Sequence, residues 1–169
     1  VQKPRPPELA EVRAYPRGAG EVLVLGRVRA AGAAWVKLRS GATERVLRVD
    51  RSGRFHAELA APAGAQLLLE SLGPTRRESE FVPLCTVPAM LECARGAALV
   101  RGLPHQAFLL VAESQGRVLR CWRGETDAGG TRRVPLDILG GPPGAGLTLR
   151  AVVGVAGVLQ SSPVIVPGA

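Results

Sequence analysis

An all-β chain made of two tandem antiparallel sandwiches is the architecture this sequence predicts, on three observations. The 169 residues include 21 Gly and 14 Pro, about a fifth of the chain, which is too much turn punctuation for a helical bundle and ordinary for many short strands. Apolar and polar residues alternate over short windows, and no window sustains a 3.6-residue period. The chain also writes a similar string twice, "VDRSGRFHAELAAPAG" at 49–64 and "TDAGGTRRVPLDILGGPPG" at 126–144. A hydrophobic fraction of 46% supplies real cores, which argues against wholesale disorder. With three Phe, two Trp and one Tyr, those cores must be filled by Val, Leu and Ala.

Taken in chain order, residues 1–8 carry Pro4, Pro6 and Pro7 and predict an extended, polyproline-like lead. Leu9 to Tyr15 forms a first strand, ended by Pro16. "EVLVLGRVRA" (21–30) is β-branched, with a bulge or bend at Gly26. "AWVKLRSG" (34–41) sets Val36 and Leu38 on one face and Lys37 and Arg39 on the other. "TERVLRVD" (43–50) leads into the turn Arg51-Ser52-Gly53. "RFHAELA" (54–60) points Phe55, Ala57 and Leu59 inward and His56 and Glu58 outward. After the turn "APAG", "QLLLESL" (66–72) is a buried strand and "RESEFVPL" (77–84) closes the unit.

The second half keeps this order. "AALVRG" (97–102) answers "EVLVLG", "AFLLVAE" (107–113) answers "AWVKLRS", and "RVLRCW" (117–122) shares its first four letters with "RVLRVD". "PPGAGLTLR" answers "PAGAQLLLE", and "SPVIVP" (162–167) answers "SEFVP" (79–83). Matches in one order predict a duplicated unit of about 80 residues with seven strands each. "TVPAMLECARGAA" (86–98) offers at most a helical turn, since Pro88 and Gly96 break it. The expected division is therefore a first sandwich at 1–84, a linker at 85–95 and a second sandwich at 96–169.

These pieces resemble the immunoglobulin-like domains that recur in tandem in exported bacterial proteins. The resemblance rests on Gly26-Arg27-Val28, Val36-Lys37-Leu38, Val49-Asp50-Arg51-Ser52-Gly53-Arg54-Phe55 and Pro62-Ala63-Gly64. It is weaker in the second half, where Thr131 follows Gly130 and Phe55 has no direct equivalent. It covers most of both units and implies two tandem immunoglobulin-like antiparallel β-sandwiches, an extracytoplasmic location (periplasmic, cell-surface or secreted) and a spacer or interaction role. It brings no catalytic residues with it. Among Cys85, Cys93 and Cys121, the oxidising compartment it implies favours one disulfide over three reduced thiols. Cys85–Cys93, clipping the linker, is preferred to Cys93–Cys121, and Cys121 then reads as core beside Trp122.

The chain begins at Val1 without a basic-then-apolar signal segment, as expected of a mature end or of a piece of something longer. No apolar run approaches the ~20 residues of a membrane-spanning helix. Asn is absent, which leaves no N-glycosylation acceptor.

Catalytic and metal chemistry find little footing. His56 and His105 are isolated and lack the close spacing of metal ligands. No G-x-S-x-G elbow occurs. Asp50 and Asp127 precede glycine turns, and each supplies one carboxylate where a calcium loop needs several oxygens. Asp50, Gly53, Asp127 and Gly129 are therefore read as turn-defining, with the carboxylates capping backbone N–H groups. "GGPPGAG" (140–146) lacks the G-K-[ST] of a phosphate loop and reads as a hairpin loop. No cofactor and no enzymatic activity are expected.

The net charge is +8 and nearly all the basic residues are Arg. Arg27, Arg29, Lys37, Arg39, Arg45 and Arg48 fall on neighbouring strands and form a candidate basic face, although a plain solvated face is the preferred reading of them. Nucleic acid is disfavoured because stacking platforms are missing. The sequence thus points to a non-catalytic structural, adhesive or protein-interaction module, whose partner is another protein domain or a surface polymer. Two alternatives stand beside it: a filament subunit assembled by strand donation, and an accessory domain binding acidic glycans through the Arg-rich face.

Overall fold

The computed structural model describes residues 8–29, 35–72, 81–94, 96–139, 146–153, 159–161 and 163–166. The proline-rich lead, most of "GGPPGAG", Arg95 and parts of "RESEFVPL" and "SPVIVP" lie outside the described residues. Val1–Tyr15 with Gly20–Pro88 form one compact unit, and Pro16–Ala19 with Ala89–Ala169 form the other.

The first unit consists of β1 (Glu8–Pro16), β2 (Glu21–Arg29), β3 (Trp35–Ser40), β4 (Thr43–Arg48), β5 (Arg54–Ala60), β6 (Gln66–Leu72) and β7 (Val82–Thr86). One sheet runs β1-β2-β5 and the other β4-β3-β6-β7. Period-two alternation decides which side of each strand is buried. In β5, Phe55, Ala57 and Leu59 are buried while His56 and Glu58 are exposed. In β3, Val36 and Leu38 are fully buried. Leu38 sits opposite Leu69 across β3 and β6, and Val24 opposite Ala57 across β2 and β5. The two sheets close on one cluster that includes these four side chains. Each fully buried Leu contributes about 1.5–3 kcal/mol relative to exposure. β1 lies at the edge of its own unit's sheet, so the Leu9–Tyr15 segment completes its own sandwich.

The second unit repeats the plan with β8 (Leu91–Ala94), β9 (Ala97–Arg101), β10 (Ala107–Ser114), β11 (Arg117–Glu125), β12 (Thr131–Pro135), a 3₁₀ turn at Leu136–Leu139, β13 (Thr148–Val153), β14 (Leu159–Gln160) and β15 (Val164–Ile165). Its sheets run β8-β9-β12 and β11-β10-β13, with β14 and β15 both paired to β13. The last strand is thus split in two. Val100, Leu110, Val134 and Leu149 anchor a separate core. Both units are all-β immunoglobulin-like sandwiches, in which a three-stranded sheet made by the first, second and fifth strands faces the sheet made by the others.

Two details depart from the sequence expectation. The segment 85–95 holds the end of β7 and all of β8, which pairs with β9 from Leu91↔Val100 to Ala94↔Ala97. Met90 and Leu91 are buried in the second core. Four residues between Pro88 and Gly96 are too few to display a period, so burial rather than pattern makes this strand. The letter match of Gly26 with Gly102 is also out of register. Arg27 opposes Arg54 in one unit and Arg101 opposes Thr131 in the other, which sets Gly26 against Val100 and Phe55 against Arg132.

Candidate functional site

The two turns come first, because they position the side chains around them. In the first, Asp50 Oδ1 accepts from the Ser52 amide at 2.8 Å, the Ser52 hydroxyl at 2.7 Å and the Arg54 amide at 2.9 Å. The Gly53 amide donates to the Asp50 carbonyl at 3.0 Å. In the second, Asp127 Oδ1 accepts from the Gly129 and Thr131 amides, both at 2.9 Å, and Oδ2 from the Thr131 hydroxyl at 3.1 Å. These donors hold both carboxyls below the usual range: at Asp50 first the Ser52 hydroxyl and then the Arg54 amide, at Asp127 first the Thr131 amide. Gly53 has φ +83° and Gly130 φ +78°, the left-handed region where glycine carries no steric penalty. The glycine equivalent to Gly53 is therefore Gly130, while Gly129 serves as an amide donor to Asp127. Each left-handed glycine also ties its turn to the neighbouring strand, with Val28 N–H on the Gly53 carbonyl at 3.0 Å and Gly102 N–H on the Gly130 carbonyl at 2.9 Å.

The six residues of the basic face do not share a face. Arg27 and Arg29 belong to β2 of the three-stranded sheet, whereas Lys37, Arg39, Arg45 and Arg48 belong to β3 and β4 of the other. Lys37 lies 3.2 Å from the buried carboxylate of Glu70 and 3.9 Å from Glu44. Arg39 lies 3.7 Å from Glu44 and places its guanidinium 5.2 Å from the Phe81 ring centroid. Arg45 is the cross-strand partner of Leu38. The Greek-key path causes this division, since β2 and β3 follow one another in sequence but lie in opposite sheets.

Two of the six do converge with other basic groups. A cleft of about 1000 Å³ runs from β1 across β2 and β5 to the end of β4. Arg13, Arg27, Arg48, Arg54 and His56 line it, against the carboxylates Glu11 and Asp50. Asp50 is already committed to its turn, and Arg27 Nε donates to the Ser52 carbonyl at 3.0 Å. Arg13 is held by Tyr15, whose side chain raises the guanidinium's proton affinity further. Among the described residues, Arg48 and Arg54 make no ion pair. Leu25 and Leu47 supply apolar surface within the same cleft. Sequence reasoning missed Arg13, Arg54 and His56 as members of the group. The register Arg27↔Arg54 and Leu25↔His56 brings in the latter two, and that pairing spans residues separated by the whole β3–β4 hairpin.

The thiols also differ from expectation. Cys85, Cys93 and Cys121 are all free. Cys85 is opposite Leu67 in the first unit and Cys93 opposite Ala98 in the second, so each packs into its own sandwich and the Cys85–Cys93 bridge is not made. Burial pushes both thiols up. Cys121 is exposed on β11 rather than core, and the disulfide therefore gives no support to an oxidising compartment. His56 is exposed on β5, and His105 lies 3.6 Å from Glu125. Among the described residues no three His, Cys, Asp or Glu side chains converge as metal ligands, and no helix is long and apolar enough to cross a membrane.

No family model and no curated protein matches the chain. Solved structures similar to it include the BSP domain of a biofilm-associated protein, at 17% identity and TM-score 0.36 over 95% of this chain and 30% of that one. This chain thus spans less than a third of that protein's length. A segment of two fibronectin type-III domains from chicken tenascin is 11% identical with TM-score 0.32, over 93% of this chain and 96% of that one. The D0-D1 domain of intimin is 13% identical with TM-score 0.29, over 94% and 98% respectively.

Proposed function

We propose that the chain is a non-catalytic extracytoplasmic interaction module, a structural or adhesive element whose two sandwiches space and present a binding surface. What carries this reading is the repetition of one strand order around two separate cores. The polar side chains that the sequence repeats, Asp50 and Asp127, hold turns, and Arg48 and Arg54 lie exposed. Partners are then other protein domains or a surface polymer. The filament alternative is disfavoured because β1 is already paired within its own unit.

Protease shaving of cells that make the protein tests the location. A module outside the cytoplasm is digested by protease added to cells whose outer layers alone have been opened. Protection until the cytoplasmic membrane is broken overturns the reading.

A further inference from the structure

The cleft of the first unit gathers basic side chains from β1, β2, β4 and β5 against two carboxylates. Four guanidinium groups and His56 line it, while one of its two carboxylates, Asp50, already takes three hydrogen bonds in its turn. Arg27 is anchored on the Ser52 carbonyl, while the exposed Arg48 and Arg54 make no ion pair within 4 Å among the described residues. Arg54 is attracted to the Asp50 carboxylate, whose hydrogen-bonding capacity its turn already uses. Planar guanidinium forks match carboxylates in a bidentate geometry. The cleft's volume of about 1000 Å³ is far more than one small anion needs and lies at the upper end of ordinary ligand sites.

The lining also distinguishes between kinds of acidic partner. Sugar rings and nucleobases are held by stacking on exposed aromatic faces. Here the lining Tyr15 and Phe55 are only 7% and 5% exposed, so no broad aromatic face is offered, and stacking is limited to the small His56 ring and the guanidinium planes. The apolar surface on offer is aliphatic, with Leu25 39% exposed and Leu47 half-buried. Aliphatic surface between guanidinium groups suits a chain in which carboxylate and aliphatic side chains alternate.

The geometry points to this cleft as the docking site for an acidic, extended peptide segment of a partner protein, its carboxylates on Arg48 and Arg54 and an aliphatic side chain against Leu25. This deepens the interaction-module reading and rests on it, by naming the chemistry of the partner.

The test uses the full chain and a fluorescent eight-residue peptide of alternating Glu and Leu, with a Gln-for-Glu version and a uronic-acid oligosaccharide as competitors. The acidic peptide binds, the Gln version binds at least about tenfold more weakly, and raising salt weakens the acidic peptide selectively. Arg48→Glu with Arg54→Glu lowers affinity by about tenfold or more, whereas Arg120→Glu, exposed on β11 of the other unit, leaves it unchanged. Equal affinity of the Glu and Gln peptides, or of the double variant and the parent, overturns the assignment. So does binding of the oligosaccharide without the peptide, or of neither. The salt and Gln comparisons need no variant to fold. Loss of cleft binding in a protein that is still digested before the cytoplasmic membrane is broken would sink the cleft alone and leave the module reading standing.

Discussion

Phe55 of β5 lies over Gly26 of β2, its cross-strand partner, so closely that a Cβ on Gly26 would meet the ring's Cζ well inside van der Waals contact. The second unit places aromatic rings over a glycine with different residues. Phe108 and Trp122, 5.8 Å apart at their centroids, close over Gly124, the cross-strand partner of Phe108. Gly26→Ala is expected to destabilise the first unit by about 1–3 kcal/mol, since the buried ring has little room to retreat. A lowered denaturant midpoint with an unchanged slope reads this. No change would mean that Phe55 repacks freely.

The left-handed glycines give a paired test. Gly53→Val meets both a positive φ and the Val28 carbonyl oxygen, and is expected to cost about 1–3 kcal/mol. Gly130→Val, with φ +78°, is expected to cost a similar amount in the second unit. Gly129→Ala should cost clearly less, because Gly129 is not among the positive-φ glycines. Equal losses at Gly129 and Gly130 would show that the wrong glycine carries the turn.

Acid should unfold the protein partly through these turns. Both Asp50 and Asp127 have folded-state affinities for protons below those of the unfolded chain. Their contribution is therefore complete above the ordinary carboxylate range and is lost as pH falls through the lower folded value. Asp50→Asn with Asp127→Asn should flatten the fall of the denaturant midpoint between about pH 5 and pH 2. An acid limb as steep as the parent's rules out this source.

Thiol chemistry follows burial. Unfolded, non-reduced protein should give three free thiols per chain, and native protein should react first at exposed Cys121. Cys85 and Cys93 should lag, because desolvation raises both and leaves less thiolate. Mass spectrometry after brief alkylation decides the order, and one thiol instead of three would restore a disulfide.

Each half should fold on its own. Fragments 1–88 and 89–169 should each melt cooperatively, since each holds its own core. The fragment 96–169, which follows the boundary expected from sequence, lacks β8 and should be markedly less stable. If neither longer fragment folds alone, the two halves depend on each other.

What was legible in the sequence was whatever repeats at short range. Alternation in "RFHAELA" fixes its inward side chains, and the spacing of Asp50 and Gly53 fixes a turn. β8 was illegible because four residues carry no period, and their fate depends on a core to which Leu91 contributes from the edge. The cleft was illegible for a different reason. Arg27 and Arg54 meet across strands joined through the opposite sheet, so their approach is a property of topology. The six-residue basic face failed on the same ground, as sequence neighbours in β2 and β3 were parted between sheets.

The exchange of residues at one ladder position bears on how two such similar units share a single chain. Tandem repeats are held at high effective concentration, and strands of one can pair with those of the next while the chain is still being made. Here such an error is mismatched. β9 against β5 would set Val100 opposite Phe55, crowding a slot that β2 leaves open with Gly26. β2 against β12 would set Gly26 opposite Arg132, whose guanidinium in the native unit lies 5.8 Å from the Trp122 ring centroid. Either hybrid sheet is overfilled or left with a hole. The difference between Gly26 and Val100 thus makes each ladder fit its own partner strand better than the corresponding strand of the other unit.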